Sequence, residues 1–170
     1  IQTWGAYEQL LEKGELYGDW QQSLQGYTDA YRWMCEQMEQ RGIKLNGRPP
    51  MWAWPERPDL RDRMGIRHVW GKYVRLTLEV PDDSVLVSNF CAWNNVTGGN
   101  YCYYSDEEFQ PHLDGYRTEN EVVASWDKIF DLELCVSGGC YYDIRQAAFQ
   151  TIKLDYVKKV EVFERRKPAS

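Results

Sequence analysis

The stretch KYVRLTLEV at residues 72–80 is the strongest strand signal in the chain and decides its fold class. Its apolar residues alternate with polar ones, so one set faces a core while the other set faces outward. The sequence PDDS then forms a turn at 81–84, and VLV at 85–87 returns as a second strand. Proline, aspartate and serine favour such turns through their backbone preferences and local hydrogen bonds.

Helical segments surround these strands and are indicated by apolar residues at helical spacing beside capping residues. The first predicted helix, 6–13, is stopped by Gly14, and the second is capped by Thr28 or Asp29 and ended by Gly42. Ser88 caps a predicted short helix. Two further helices are opened by the capping boxes Ser105-x-x-Glu108 and Thr118-x-x-Glu121. Further strands are predicted at 1–4, 51–54, 145–153 and 159–163, with a helical turn near Asp155. The sequence therefore predicts an α+β fold: one domain over 1–170 with a mixed, mostly antiparallel sheet, several short helices and a tail at 165–170.

The composition is acidic, with a net charge of −6 and a pI near 5. An acidic chain repels a phosphate backbone, so we expect no nucleic-acid partner. The chain opens without a basic and apolar leader, and no stretch approaches the length of apolar residues that crosses a membrane. We therefore expect no membrane association and a cytoplasmic location.

Cysteine and histidine usage argues against a metal site or a nucleophile–base pair. The five cysteines form no CxxC pair, and the two histidines, His68 and His112, stand far apart in weakly patterned segments. Cys135 and Cys140 could close a small loop in an oxidising setting, and the sequence leaves that pairing open. No metal ligand and no catalytic residue is predicted.

Two tryptophans one strand step apart, Trp52 and Trp54, form the clearest candidate site. Indole rings stack on flat ligands, and an arginine binds phosphate or carboxylate in forked geometry. Asp59 and Arg61 follow in a connection long enough to be functional. The two indoles either form one wall of a cleft, with Arg61 as the anion contact oriented by Asp59, or cover a core under this connection, with Asp59 and Arg61 holding it down.

An ordered series of motifs carries a resemblance to a known family. The series runs Thr3-Trp4, Tyr31-x-Trp33-Met34, Trp52-x-Trp54, Pro58-Asp59-Leu60-Arg61, Leu78 to Ser88, Trp93, Ser125-Trp126-Asp127-Lys128-Ile129-Phe130-Asp131 and Gln146-Ala147-Ala148-Phe149. It resembles a bacterial and phage family catalogued as a domain of unknown function, and it spans nearly the whole chain.

A second, fold-level resemblance is to ADP-ribosyltransferase-type NAD-binding domains, through the order of the early strand and helix and the late strands. In those domains a late strand brings a glutamate to the ribose, and the matching position here is Gln146. The resemblance implies NAD as a candidate cofactor, and the hypothesis of an NAD-like ligand assigns ribose or amide contacts to Asn95 and Gln146. A neutral amide hydrogen-bonds ribose hydroxyls but does not stabilise a cationic transition state by charge.

Two functions follow as hypotheses. The first is binding of a nucleotide-like or NAD-like anion in an aromatic and arginine cleft, with or without transferase chemistry. The second is a non-enzymatic protein of phage–host conflict that sequesters a signalling nucleotide or binds a protein partner. The predicted ligand-binding residues are Trp4, Trp52, Trp54, Asp59, Arg61, Asn95, Trp126 and Gln146. Whether the chain is an enzyme, and its oligomeric state, stay open.

Overall fold

Short helices and short strands alternate along the chain in the computed structural model, which describes residues 1–21, 26–58, 70–105, 107–108, 117–133 and 143–165. The helices are α1 (Trp4–Lys13), α2 (Thr28–Gln40), α3 (Phe90–Thr97) and α4 (Glu119–Ser125), with 3-10 turns at Asp82–Ser84, Trp126–Phe130 and Leu154–Tyr156. The strands are β1 (Gln2–Thr3), β2 (Glu15–Tyr17), β3 (Met51–Ala53), β4 (Gly71–Leu78), β5 (Val85–Asn89), β6 (Arg145–Phe149), β7 (Thr151–Lys153) and β8 (Val157–Arg165).

The described strands form three antiparallel sheets, with the orders β1-β4-β8, β2-β7 and β3-β6-β5. The predicted α+β class is confirmed. Although β4 and β5 follow each other closely, they belong to different sheets, because the 3-10 turn at Asp82–Ser84 separates them. The predicted single strand at 145–153 is two strands, since β6 pairs with β3 and β5 whereas β7 pairs with β2.

The β3-β6-β5 sheet separates two hydrophobic clusters. In its register Trp52 lies opposite Ala148, which lies opposite Leu86, and these side chains share one face. The neighbouring row, Met51, Phe149 and Val85, points to the other face. Strand β6 is therefore buried on both sides, and its small alanines allow close packing above the sheet.

The cluster on the first face, called here the helix-side cluster, is built mainly from α2, α3 and the turn at Trp126–Phe130. Its buried members are Ala30, Trp33, Met34, Met38, Ile43, Leu45, Ala92, Trp93, Val96, Cys102, Trp126, Ile129 and Ala148. The cluster on the second face, the strand-side cluster, has Leu10, Met51, Phe149 and Ile152 at its centre. Helix α1 contributes Leu10, so it covers the side of the sheet opposite α2 and α3.

Caps explain where the helices begin, and they correct two predictions. The Asn89 side chain accepts from the backbone N–H of Ala92 at 2.9 Å, so Asn89 caps α3 and the predicted cap Ser88 remains in β5. Thr28 is the first residue of α2 and neither it nor Asp29 caps that helix, because Tyr27 occupies the cap position without a side-chain bond.

Two other predicted helix signals are observed. Thr118 and Glu121 form the predicted reciprocal capping box at the start of α4. The first helix ends at Gly14, as predicted, because Gly14 adopts the left-handed conformation with φ 78°.

Two adjacent leucines of α1 provide a test of this packing. Leu10 is fully buried in the strand-side cluster, whereas its neighbour Leu11 is 51% exposed. We expect Leu10→Ala to lower the free energy of unfolding by about 2–5 kcal/mol through lost contacts and a cavity, and Leu11→Ala to change it by about 0.5 kcal/mol or less. Urea denaturation of both variants measures the difference, and equal losses would contradict the placement of α1.

Candidate functional site

The tryptophan pair packs along one helix. The Trp52 ring centroid lies 5.1 Å from that of Trp93, and the Trp54 ring lies 4.9 Å from Phe90 in a T-shaped contact. Phe90 and Trp93 are three residues apart in α3, so they form one stripe on that helix. The structure therefore brings both indoles against α3, but it gives them different surroundings.

Trp52 belongs to the core. Its ring also contacts Tyr31 at 5.7 Å and packs on the helix-side cluster. The Trp52 Nε1 is buried and makes no well-formed hydrogen bond within the described residues. Its N–H nevertheless lies close enough to the Tyr31 hydroxyl to influence the pKa of Tyr31. Burial raises the pKa of Tyr31, and the Trp52 N–H opposes part of that rise. Trp52 thus serves packing, which was one of the two roles left open for the pair.

Trp54 lies at the margin of the same sheet, with 38% of its surface exposed. The β3–β6 ladder ends at Ala53 opposite Ala147, and the preceding residue of β6, Gln146, pairs with Ser88 in β5. The buried Gln146 donates from Nε2 to the buried Ser88 Oγ at 3.1 Å. Trp54 with its ring partner Phe90, and the pair Gln146 and Ser88 at this end of the sheet, are together called here the Trp54 site.

The chain after Trp54 leads to a cluster of charges on the β1-β4-β8 sheet, called here the Glu161 cluster. Glu161 accepts from Arg75 Nε at 3.0 Å and Arg57 Nη2 at 2.9 Å, and it lies 3.3 Å from Lys159 Nζ. Arg75 Nη1 also donates to the Pro58 carbonyl at 3.0 Å. Among the described residues three cations share this carboxylate, so these four side chains together carry a net positive charge on an acidic chain.

These cations hold the pKa of the Glu161 carboxyl far below its ordinary range, at about 2, with the Arg75 hydrogen bond as the largest cause. Glu161 is therefore ionised under all ordinary conditions. The Arg57 and Lys159 side chains, 65% and 58% exposed, are the parts of the cluster that face solvent, whereas Arg75 is largely buried.

Besides the Trp54 site and the Glu161 cluster, the structure gathers charged side chains around Tyr101 and Tyr104, which sequence reasoning missed. The Arg117 guanidinium lies 3.7 Å above the Tyr101 ring, and Lys128 Nζ lies 2.8 Å from Glu108 Oε2 and faces the Tyr101 and Tyr104 rings. Burial raises the pKa of Glu108, but hydrogen bonds from Lys128 and the Tyr104 N–H, with the charges of Lys128 and Arg117, lower it below its ordinary value. The sequence signal was the run YCYY at 101–104, whose cationic partners come from distant positions.

Two other predicted ligand residues, Trp126 and Trp4, contact residues outside the Trp54 site. Trp126 is buried, with its Nε1 donating to the Asn100 carbonyl at 2.9 Å and its ring 5.5 Å from Trp33. Trp4 opens α1, donates to Glu8 Oε1 at 2.7 Å and lies under Lys72 Nζ. Asn95 is half-buried on α3.

Two of the predicted residues, Asp59 and Arg61, lie outside the described residues. Cys135, Cys140, His68 and His112 also lie outside them. The predicted clamp at 59–61 and the Cys135–Cys140 pairing therefore stay predictions.

The described residues offer little for covalent or metal chemistry. Burial raises the pKa of the Cys35 thiol to about 11, so little of it is thiolate at neutral pH. Across the described ranges, no group of three or more histidine, cysteine, aspartate or glutamate side chains could hold a metal ion. None of the described helices is long and apolar enough to cross a membrane.

The chain belongs to the family described as Domain of unknown function (DUF3841), whose profile matches residues 1–158. The predicted membership of an uncharacterised family is thereby confirmed. Searches of curated proteins and of solved structures returned no match. The resemblance to ADP-ribosyltransferases stays a prediction.

The different surroundings of the two tryptophans lead to a stability test. We expect Trp52→Ala to lower the free energy of unfolding by about 3 kcal/mol, since it removes an indole from the helix-side cluster. Trp54→Ala should cost about 1 kcal/mol, the scale of one aromatic contact at a half-exposed position. Chemical denaturation compares them, and an equal or larger loss for Trp54→Ala would place Trp54 in the core as well.

The Glu161 cluster makes stability depend on acid pH. Because the folded-state pKa of about 2 lies below the ordinary value of 4.5, Glu161 stabilises the fold above pH 4.5, and this contribution is lost as the pH falls from 4.5 towards 2. Glu161→Gln should therefore unfold at lower urea concentration at neutral pH and show a shallower decline across that window. Glu79→Gln, which removes an exposed carboxylate paired with Lys158, is the control and should change the slope less. Identical slopes for Glu161→Gln and the unmodified chain would contradict the cluster.

Proposed function

We propose that this protein binds an anionic, nucleotide-like ligand, of which NAD is one member, with the ring system on Trp54 and the phosphate on Arg57. The observation that carries the proposal is a half-exposed indole placed three residues before a largely exposed guanidinium. Three residues separate the two Cα atoms by at most about 10 Å, so one ligand can reach both side chains.

The aromatic part of the proposal depends on how Trp54 is held. Phe90 contacts the ring in T-shaped geometry and fixes its orientation, and the exposed portion of the indole leaves surface for a planar ring. A pre-oriented ring costs little entropy when a ligand stacks on it. Ser88 and Gln146, which are buried cross-strand partners at this end of the sheet, are the nearest polar pair in β5 and β6 to the end of β3.

The anionic part depends on charge. Among the described residues Arg57 donates through Nη2 to Glu161, and a guanidinium carries further N–H groups that suit a phosphate. Arg57, Arg75 and Lys159 together exceed the single charge of Glu161, so an anion would offset the surplus. Arg61, the anion contact predicted from the sequence, stays a candidate beside Arg57.

We further propose that binding occurs without turnover. Gln146 donates to Ser88 and carries no charge, so it would not stabilise the cationic transition state of ADP-ribosyl transfer. Binding without turnover suits a protein that sequesters a signalling nucleotide in phage–host conflict. ADP-ribosyl transfer is the alternative, and it would release nicotinamide from NAD.

A thermal ramp followed by tryptophan fluorescence tests the proposal, with NAD, mononucleotides, dinucleotides and cyclic dinucleotides added separately. A ligand at about one hundred times its dissociation constant should stabilise the fold by about 2.7 kcal/mol, which raises the midpoint by several degrees. Trp54→Ala and Arg57→Ala should each lose most of that rise. Trp20→Ala, which removes an indole of the same exposure elsewhere, should keep it.

The outcomes separate the hypotheses. Equal midpoint shifts in Trp54→Ala, Arg57→Ala and the unmodified chain would disprove the site. No shift with any compound would favour a protein partner. Recovery of intact NAD after long incubation supports binding without turnover, whereas release of nicotinamide would overturn that part and restore the transferase alternative.

A further inference from the structure

The Glu161 cluster holds two exposed cations close together. Glu161 accepts from Arg57 Nη2 at 2.9 Å and lies 3.3 Å from Lys159 Nζ, and both contacts are made by the same carboxylate oxygen, Oε1. The two nitrogen atoms are therefore at most about 6 Å apart. Arg57 follows β3, whereas Lys159 lies in β8, so only the fold brings these cations side by side.

Arg75 anchors the pair from the buried side of the cluster. Its side chain is 11% exposed, and its Nε donates to the other carboxylate oxygen of Glu161, Oε2, at 3.0 Å. Its Nη1 donates to the carbonyl of Pro58, the residue after Arg57, at 3.0 Å. Arg75 thus fixes both Glu161 and the chain that carries Arg57 to the sheet. Cations held in this way lose less freedom when an anion binds.

The surplus charge of the cluster lies on its exposed members. Arg75 compensates the negative charge of Glu161, and Arg57 and Lys159 add two positive charges to these four side chains. Both are more than half exposed, whereas the Glu161 side chain is 25% exposed. An anion that arrives from solvent therefore meets the two cations before the carboxylate, and Coulomb attraction is strongest when it contacts both.

The arrangement favours two linked phosphates over a single phosphate. Arg57 Nη2, the nitrogen near Lys159, already donates to Glu161, so a phosphate meets Arg57 through another edge of the guanidinium. Lys159 Nζ is then left for a second phosphate of the same chain. A guanidinium suits forked contacts with one phosphate, and an ammonium binds the next as a point charge.

We propose that Arg57 and Lys159 form a diphosphate subsite, so that the ligand is a nucleotide with two or more linked phosphates. This inference rests on the proposed function, in which the base stacks on Trp54 and one phosphate binds Arg57. It adds Lys159 as the residue that distinguishes nucleoside diphosphates from nucleoside monophosphates. NAD carries such a diphosphate, whereas sugars separate the two phosphates of a cyclic dinucleotide.

Isothermal titration calorimetry at low salt with ADP and AMP tests the subsite. We expect the unmodified chain to bind ADP about tenfold more tightly than AMP, the effect of one added charge-assisted contact. Lys159→Ala should lower the affinity for ADP to that for AMP, and Lys159→Arg should keep the preference. Lys158→Ala is the matched control, because it removes a neighbouring lysine that is 54% exposed and paired with Glu79, and it should leave both affinities unchanged.

Inorganic pyrophosphate and inorganic phosphate separate this inference from the proposed function, because neither needs an aromatic contact. We expect pyrophosphate to bind more tightly than phosphate. That preference should be lost in Lys159→Ala and kept in Trp54→Ala, whereas ADP should lose affinity in both variants. Circular dichroism and urea denaturation identify any variant that fails to fold.

Each outcome bears on one of the two proposals or on both. Equal affinities for ADP and AMP, with binding that depends on Trp54 and Arg57 but not on Lys159, would overturn the subsite and leave the proposed function standing. Pyrophosphate binding that depends on Lys159, with ADP binding unaffected by Trp54→Ala, would keep the subsite and overturn the stacking. No binding of any of the four compounds would overturn both.

Discussion

Burial of β6 on both of its faces is the constraint on which the rest of this structure depends. Ala148 faces α2 and α3, and Phe149 faces α1, so one short strand carries packing in two directions. A larger side chain at Ala148 would push the helices away from the sheet, because packed interiors have no spare volume. The pairing of β6 with both β3 and β5 also sets the register that places each neighbouring side chain.

The candidate site is a consequence of that register. Trp52 lies over Ala148, where the small residue leaves room for an indole, and Trp54 follows just beyond the end of β3. At this margin the buried pair of Ser88 and Gln146 replaces apolar residues on the same face. A core boundary of this kind combines a rigid aromatic surface with polar groups, which is the usual composition of a small-molecule site.

Side chains alternate along β8, so its two faces have different surroundings. On one face the Glu161 carboxylate binds Arg75 of β4 and Arg57 of the segment that follows β3, and it lies beside Lys159. On the other face Val160 and Val162 lie opposite Leu76 and Val74 of β4. The charged face therefore ties the β1-β4-β8 sheet to the chain after β3, which connects it to the proposed anion contact at Arg57.

The sequence by itself determined the local elements: the alternation at 72–80 indicated β4, the helical stop at Gly14 and the box Thr118-x-x-Glu121 marked helix ends, and the spacing of Trp52 and Trp54 put them on one face. These signals depend on neighbours within a few residues. Only the tertiary structure decided that Trp52 is core and Trp54 is half-exposed, that Gln146 bonds to Ser88, and that Arg117 and Lys128 gather around Tyr101. Those contacts join residues far apart in the chain, and no local periodicity encodes which strand pairs with which, since register follows from the packing of both sheet faces at once.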